Sequence, residues 1–507
     1  MRHTYVTPDI TVELDGARLD DPEIRLLSSV HVRSKLSCPA QCELTFRQDL
    51  SRLPELTLPE PGASLEVTLS DRNETLFSGK VTALEYEHGP SGDRLIRVRG
   101  YDALYDLRKA QPVRTHVEMT LADLAEEVAG TAGYSVEADE EGPLLERLIQ
   151  FDRDDLRFLV TTAARYGYYL APRGETLHLV SLAGLDRDPV SLTLGDNLFE
   201  ARLELNDHSV YGSARASGWD LQRTLLHAGD TDVPRNAGGV PEAAESHRSG
   251  ADPQRALMDR AARRDSESEG IARGELDRTA AGMAVCWGVA EGDPGLLPGT
   301  PIEVEGVERR LCGRYVLTDV THRIDSEHGY VCEFSTRPPA LPEEQHNPNL
   351  TAGKVVDVDD PDGLGRINVA LPAHDDCETG WLNVILPGAG AEKGLIALPQ
   401  VGDLVLVLSP TAEPAEGVVL GGFFGPDGPS DAGVDGGSIE RFIFKTPGGQ
   451  KIVLDDDRKR IRLQNSSGGF VQLSPGGVRI HAAADLRIDA PGNAITIRGA
   501  TIDFEQE

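Results

Sequence analysis

The sequence predicts a mainly β, multidomain chain: β-barrels with a few helices, then a small closed barrel, then an intertwined β-prism that three copies must build together. Three observations predict it. Apolar and polar residues alternate with period two from the amino terminus to about residue 118, the mark of half-buried strands. Five short apolar runs crowd between Gly353 and Gly422. Near the carboxyl end, apolar doublets with one residue between their members recur about every eight residues.

With 507 residues the chain exceeds one ordinary core, and about two to four domains are expected. Lys and Arg number 50 against 83 Asp and Glu, a net charge of −33. Such a chain offers a phosphate backbone little to condense on and is repelled by an anionic surface, so nucleic-acid binding is disfavoured. The six cysteines, Cys38, Cys42, Cys286, Cys312, Cys332 and Cys377, show no paired C-x-x-C elements of zinc spacing. They read as reduced and mostly packed, which suits synthesis in a cytoplasm. Met1 to Leu14 lacks a basic region followed by an apolar one, and no window reaches the ~18 apolar residues of a membrane span. Assembly in the cytoplasm without a signal peptide is therefore expected.

In chain order, Leu65, Val67 and Leu69, then Ile96 and Val98, carry the strand alternation. A helix follows from Thr120, with Leu121, Leu124, Ala125 and Val128 on one face, a Thr-x-x-Asp start and a stop at Gly133. A second presents Leu156, Leu159, Val160, Ala163 and Ala164 behind Asp154 and Asp155, and stops at Gly167. Gly229 to Gly250 reads as a loop. A polar helix is expected after it, with Asp252 as N-cap and Pro253 as the first helical residue. Strands return at Tyr315 to Val320 and Tyr330 to Phe334, before a break at Arg337-Pro338-Pro339. Domains are expected at 1–345, 350–425 and 438–507. The middle one holds runs at Val355 to Val358, Ile367 to Leu371, Trp381 to Leu386, Leu404 to Leu408 and Val418 to Leu420, the strand count of a small closed barrel such as the OB-fold.

The doublets are Ile452/Leu454, Ile461/Leu463, Val471/Leu473, Val478/Ile480, Leu486/Ile488, Ile495/Ile497 and Ile502/Phe504. Each repeat holds one strand of about five residues, reaching roughly 17 Å, and one turn. One coil of a single-chain β-helix needs three such strands, so one chain cannot close it. An isolated copy is expected to leave backbone groups unpaired and an apolar face uncovered, which drives association. Three copies around one axis solve both problems. The core of that trimer is expected to be Ile452, Leu454, Ile461, Leu463, Val471, Leu473, Val478, Ile480, Leu486, Ile488, Ile495 and Ile497, with Ile502 and Phe504 left at the tip.

Residues Gly353 to Gly421 carry Asp360-Pro361, Leu364-Gly365-Arg366-Ile367-Asn368-Val369, Trp381, Leu386-Pro387-Gly388-Ala389-Gly390, Pro399-Gln400-Val401-Gly402-Asp403 and Val418-Val419-Leu420-Gly421. This ordered set resembles the OB-fold of phage baseplate assembly protein V and of the valine-glycine repeat protein G (VgrG) spikes. Leu76-Phe77-Ser78-Gly79, Gly100-Tyr101-Asp102-Ala103-Leu104, Pro298-Gly299 and Gly313-Arg314-Tyr315 through His322 resemble the phage late control gene D hub. The resemblance implies a homotrimeric, non-enzymatic hub, collar and triple-stranded β-helix spike of a contractile injection system. It implies tail tube and baseplate proteins as partners and a PAAR-repeat tip protein at Ile502 and Phe504. Effector cargo is an optional passenger, and the target membrane is met only on firing. Paired barrels in three hubs would match a threefold spike to a sixfold tube. Whether the particle is a free phage, a type VI secretion apparatus or an extracellular injection system stays open. The joint before the needle is expected to have no room for the lysozyme that some phage relatives carry there, and no effector domain is expected after Glu507.

Competing chemistry is weaker. Gly388 to Gly394 contains Lys393, but the hydroxyl residue that should follow the lysine of a P-loop is absent and Leu395 stands beyond the glycine. Asp357, Asp359, Asp360 and Asp362 resemble a calcium loop in composition, but Pro361 and Asn368 occupy ligand positions. Histidines such as His116, His208, His322 and His481 stand singly. Glu43, Glu85 and Glu118 gain carboxylate neighbours by abundance alone. No catalytic residue, cofactor or metal is expected. The alternatives are a tail spike with cell-wall hydrolase activity and a carbohydrate-binding tail protein.

Overall fold

The computed structural model describes residues 8–49, 58–89, 93–207, 210–236, 241–242, 244, 253–258, 260, 262–342, 348–409 and 414–505. Contacts divide the chain into two compact units, one ending at Phe423 and the other beginning at Phe424. The chain is mainly β, with many sheets and few helices.

The first unit is dominated by an eleven-stranded sheet that the ends of a long stretch build together. Asp319–Asp325 pairs with Leu27–Lys35, placing Ile324 opposite Val30 and His322 opposite Val32. Leu27–Lys35 in turn lies on Cys38–Asp49, and that strand on Asp93–Tyr101, so Val30, Leu44 and Val98 form one buried row. Period-two alternation puts these side chains on the core face and the charges on the other. Glu43 and Glu85 occupy that outer face, where both bind the Arg99 guanidinium, and Glu85 also holds Arg97 at 2.7 Å. They are ion-pair partners on a sheet surface.

Residues inserted between the sheet strands Asp93–Tyr101 and Leu198–Leu205 build most of a second core. Leu121–Gly130 begins as expected: Thr120 Oγ1 accepts from the Asp123 amide at 3.1 Å, and the Thr120 amide donates to Asp123 Oδ2 at 3.0 Å. Asp155–Arg165 is capped by Asp154, which accepts from the Arg157 amide at 2.8 Å. This helix ends before Gly167, whose φ of +77° few other residues adopt. The buried stripes of both helices pack with Leu170, Leu177 and Leu179 and with a third helix, Asp265–Met283.

Two expectations fail here. No helix starts at Pro253; Gln254–Leu257 is a strand parallel to Ser213–Asp220, and the helix begins at Asp265. Asp252, the expected cap, lies outside the described residues. Gly229 belongs to the strand Leu225–Thr231. A Cβ there would lie 2.3 Å from the Glu269 amide nitrogen, so this glycine serves close packing of strand on helix and not a turn. Most of 237–250 lies outside the described residues.

Glu267, on that third helix, is buried with its Oε1 unpartnered. Burial pushes its carboxyl up to about 7. Between the ordinary Glu range and that value the folded chain holds a proton that the unfolded chain releases, so stability falls as pH rises through this window and recovers below it. Glu267→Gln removes that loss. Thermal unfolding at pH 8 should show the variant more stable than the parent by about 3 kcal/mol, and at pH 4 the difference should vanish.

The stretch around residue 345 separates two hydrophobic cores of the same compact unit. Beyond it, strands Asn349–Asp357, Ile367–Leu371, Cys377–Leu382, Leu404–Ser409 and Val418–Phe423 form a five-stranded antiparallel sheet. Asn383 to Ile385 closes it onto the last strand, with Ile385 donating to the Val419 carbonyl and Val419 to that of Asn383, each at 2.8 Å. The result is a small closed barrel filled by Val355, Ile367, Val369, Leu371, Leu382, Val405, Val407 and Val419. It is fastened to the preceding core by hydrogen bonds: Gln222 Nε2 donates to the Ala415 carbonyl at 2.8 Å, Arg147 Nη1 to that of Glu378 at 3.1 Å, and Asn383 Nδ2 to that of Leu221.

Candidate functional site

The second unit contains the doublet repeat. Five strands, Arg441–Lys445, Lys451–Asp455, Arg460–Gln464, Phe470–Ser474 and Gly477–His481, form one antiparallel meander. Its register places doublet against doublet: Ile452 faces Leu463, Leu454 faces Ile461, Ile461 faces Leu473, and Val471 faces Ile480. Because the side-chain period in a strand is two, this register gathers every doublet member onto one face. The first strand adds Phe444 opposite Ile452 and Phe442 opposite Leu454. Sequence reasoning missed this pair, although it stands ten residues before Ile452, the interval that also separates Ile461 from Val471.

One face of the sheet therefore carries ten large apolar side chains, and in the single chain each is 37–70% exposed. None of the sheet's strands buries them. Two expectations about this region need correction. Backbone groups between residues 441 and 481 are not left unpaired, because turns of two to five residues let each strand fold back on its own chain. Only the later doublets, Leu486/Ile488, Ile495/Ile497 and Ile502/Phe504, lie outside any strand, and all six residues are exposed. Phe504 is the most open of them, at 89%.

The opposite face is mostly polar, with Ile443, Val453 and Phe470 set among its charged and amide side chains. Arg441 binds Asp431 at 3.0 Å and Arg460 binds Asp455 at 2.9 Å. The Arg458 amide, and then Arg460, hold the Asp455 carboxyl below its ordinary range. Arg462 lies 4.0 Å from the centre of the Phe470 ring, and Arg479 approaches the same ring at 5.6 Å.

The competing chemistries dissolve in the first unit. Gly390 and Lys393 exchange backbone hydrogen bonds at 3.1 and 3.2 Å, forming a tight turn with no helix behind it. Asp360, from the calcium-like cluster, binds Arg366 with both oxygens, at 3.0 and 2.5 Å, and Asp362 binds the same guanidinium at 2.5 Å. An arginine thus takes the place of a cation. His322 and Cys332 meet in the core, Nδ1 to Sγ at 3.2 Å, with the Tyr330 hydroxyl 3.0 Å from the same nitrogen. Burial lowers the imidazole to about 4 and raises the thiol to about 12, so both are neutral packing groups. His116 is likewise buried, His481 ends the last tail strand, and His208 lies outside the described residues. All six cysteines are free, and Cys42, Cys286 and Cys332 are buried. Among the described residues no group of three or more His, Cys, Asp and Glu is placed to hold a metal ion, and no helix is long and apolar enough to cross a membrane.

Residues 351–424 match the type VI secretion system/phage-baseplate injector OB domain. Residues 46–326 match the Alg8 N-terminal domain. Among solved structures, an E. coli type VI secretion component, described as similar to the T4 bacteriophage tail proteins gp27 and gp5, aligns at 16% identity over 81% of this chain and 99% of its own, with a TM-score of 0.54. A chain of the Francisella PdpA–VgrG complex aligns at 9% identity over 95% of this chain and 89% of its own, with a TM-score of 0.57. The 43 kDa tail protein of prophage MuSo2 from Shewanella oneidensis covers 65% of this chain and 98% of its own at 15% identity, with a TM-score of 0.50. At these identities the likeness is one of fold. No curated protein matches. The Alg8 N-terminal match takes in more than half of the sequence, and so the chain belongs to the family of that domain, with a type VI secretion system/phage-baseplate injector OB domain following it along the chain.

Proposed function

We propose that this chain is a structural, non-enzymatic hub and spike subunit that works as a homotrimer at the tip of a contractile injection system. The one-sided tail sheet carries the reading. A face of ten half-exposed apolar side chains retains about 10 kcal/mol of burial free energy per chain, at roughly 1.5 to 3 kcal/mol for each complete burial. Three such sheets with their apolar faces inward close a prism. A five-residue strand of about 17 Å sets its edge, which leaves about 5 Å from sheet to axis, half the usual spacing of packed sheets and room for one layer of side chains.

In this reading the meander supplies one prism face per chain. The doublets from Leu486 onward have no strand partner in their own chain, and they pair between copies to give the intertwined end. Ile502 and Phe504 remain for a tip protein of PAAR-repeat type, whose docking would cover the open Phe504 ring. The amino-terminal 345 residues form the hub that meets the tail tube and baseplate, 350–425 form the collar, and 438–507 form the spike. Effector cargo rides with the tip. The assembled particle carries the spike outward from the cytoplasm, and the target membrane is touched on firing.

Sedimentation of the full chain tests the central point. The expected species has three times the 54.7 kDa chain mass and resists mild detergent. A well-folded monomer or a dimer at high dilution would overturn the trimer, and lysis of peptidoglycan by the purified protein would overturn its non-enzymatic character.

A further inference from the structure

The five-stranded tail sheet reverses the charge balance of the molecule, although the whole second unit, 424–507, holds ten Lys and Arg against twelve Asp and Glu. The chain as a whole holds 83 carboxylates against 50 Lys and Arg, yet residues 441 to 484 hold eight Lys and Arg against three Asp. Those three, Asp455, Asp456 and Asp457, stand together at one turn. From Arg458 to Ala484 there is no carboxylate at all. The alternation that sends the doublets to one face sends the cations between them to the other: Lys445 and Lys451, Arg462, and Arg479.

Arg441 and Arg460 are neutralised by Asp431 and Asp455, as described above. The other four have no such ion pair, although the Lys451 charge is felt by the Asp431 carboxyl. Lys445 and Lys451 face each other directly across neighbouring strands, a like-charge pairing that costs stability in the isolated sheet. Lys445 reaches the Ser430 hydroxyl at 3.1 Å, and Arg462 reaches the amide oxygens of Gln464 and Gln472 at 3.0 and 3.3 Å. These neutral acceptors orient the cations and leave their charge uncompensated. Phe470 props the Arg462 and Arg479 guanidiniums against its ring. Among the described residues no carboxylate lies within ion-pair distance of these four side chains.

We propose that this polar face is a docking surface for the phosphate headgroups of an anionic lipid bilayer. Guanidinium and ammonium groups bind phosphate oxygens through charge-assisted hydrogen bonds. Four cations on one face of a five-stranded sheet about 20 Å across are spaced to meet several headgroups. The −33 of the whole chain does not cancel the attraction, because charges more than about 8 Å away are screened at physiological salt. The proposal rests on the trimeric spike only for the outward direction of this face; the patch itself lies within one chain.

The test is co-sedimentation of the full-length protein with phosphatidylcholine vesicles that contain or lack phosphatidylglycerol. Binding is expected only to the anionic vesicles, and high salt should abolish it. Each cation near such a surface is worth a factor of about five in partitioning, so joint Lys445→Gln, Lys451→Gln, Arg462→Gln and Arg479→Gln should weaken binding at least ~100-fold. Arg458→Gln with Lys459→Gln, beside Asp456 and Asp457, should change it little. Equal binding to both vesicles, no binding by the parent protein, binding unchanged in the fourfold variant, or tighter binding to duplex DNA than to vesicles would each overturn the proposal. The sedimentation mass of every variant is measured alongside. A trimer that ignores vesicles sinks this proposal alone, whereas a monomer that binds them sinks the trimer alone.

Discussion

Ile461→Asp is expected to convert the trimer into monomers. Ile461 stands in the third of the five tail strands, opposite Leu473 on one side and Leu454 on the other, at the middle of the apolar face. A carboxylate there forfeits the burial of an isoleucine and sets a charge among apolar groups of all three copies, a cost of about 5 kcal/mol per copy. Threefold repetition makes that about 15 kcal/mol, some eleven powers of ten in the association constant. The backbone ladder of the meander does not depend on this side chain, so the hub and collar should keep their fold. Gln472→Asp is the matched control. Gln472 lies on the polar face, opposite Arg462 and Arg479, and its carboxylate would meet cations, leaving the trimer intact. Sedimentation of both variants decides the matter: an Ile461→Asp trimer would remove the apolar face as the cause of assembly.

How far the sequence could be read follows from what each signal encodes. The collar strands were legible because each holds a short apolar run bounded by Gly, Pro or Asp; Ile367–Leu371 was located to the residue, whereas Val355 to Val358 and Trp381 to Leu386 caught only the ends of Asn349–Asp357 and Cys377–Leu382. Thr120 and Asp154 announced their helices because a capping side chain is a local device that needs no tertiary partner. Period two reports which face a residue takes, and the apolar face of the tail was legible on that ground. It does not report which strand comes alongside. That is why the unpaired backbone expected between 441 and 481 proved to be an in-chain meander, although the two-residue turn at Pro475-Gly476 was itself a hairpin signal. Phe442 and Phe444 escaped although their form matches Ile452/Leu454, where Val453 is an equally apolar middle residue. Gly229 misled for a different reason: glycine marks a turn and a close packing contact with the same letter. The pairing of Asp319–Asp325 with Leu27–Lys35 joins segments nearly the whole hub apart, and no local pattern carries it.

Arg366→Ala is expected to loosen the collar barrel selectively. The Asp360 and Arg366 side chains are 3% and 5% exposed, and the Asp360 carboxylate also accepts from the amides of Asp362, Leu364 and Arg366. One carboxylate thus ties together the whole turn between Asn349–Asp357 and Ile367–Leu371. Removing the guanidinium leaves a buried anion without its countercharge, at a cost of about 3 kcal/mol. The side-chain bond from Arg366 holds the Asp360 carboxyl far below the usual range. For a depressed carboxylate the stabilisation is complete above the ordinary Asp range and is lost only as pH falls through the lower folded value. The parent collar should therefore keep this contribution at pH 5, and the variant should lack it at every pH above that. Amide exchange in 355–371 reports the change directly: at pH 7 it should accelerate roughly 100-fold in Arg366→Ala, while exchange in the hub helix Leu121–Gly130 stays as it was. Uniform acceleration across both regions would mean that the staple supports the entire first unit, and unchanged exchange in 355–371 would mean that it supports nothing. Asp360→Asn separates charge from shape. It keeps one oxygen to accept from the turn amides, turns the other into an NH2 that cannot accept, and leaves Asp362 as the countercharge of Arg366, so its exchange should fall between those of the parent and Arg366→Ala.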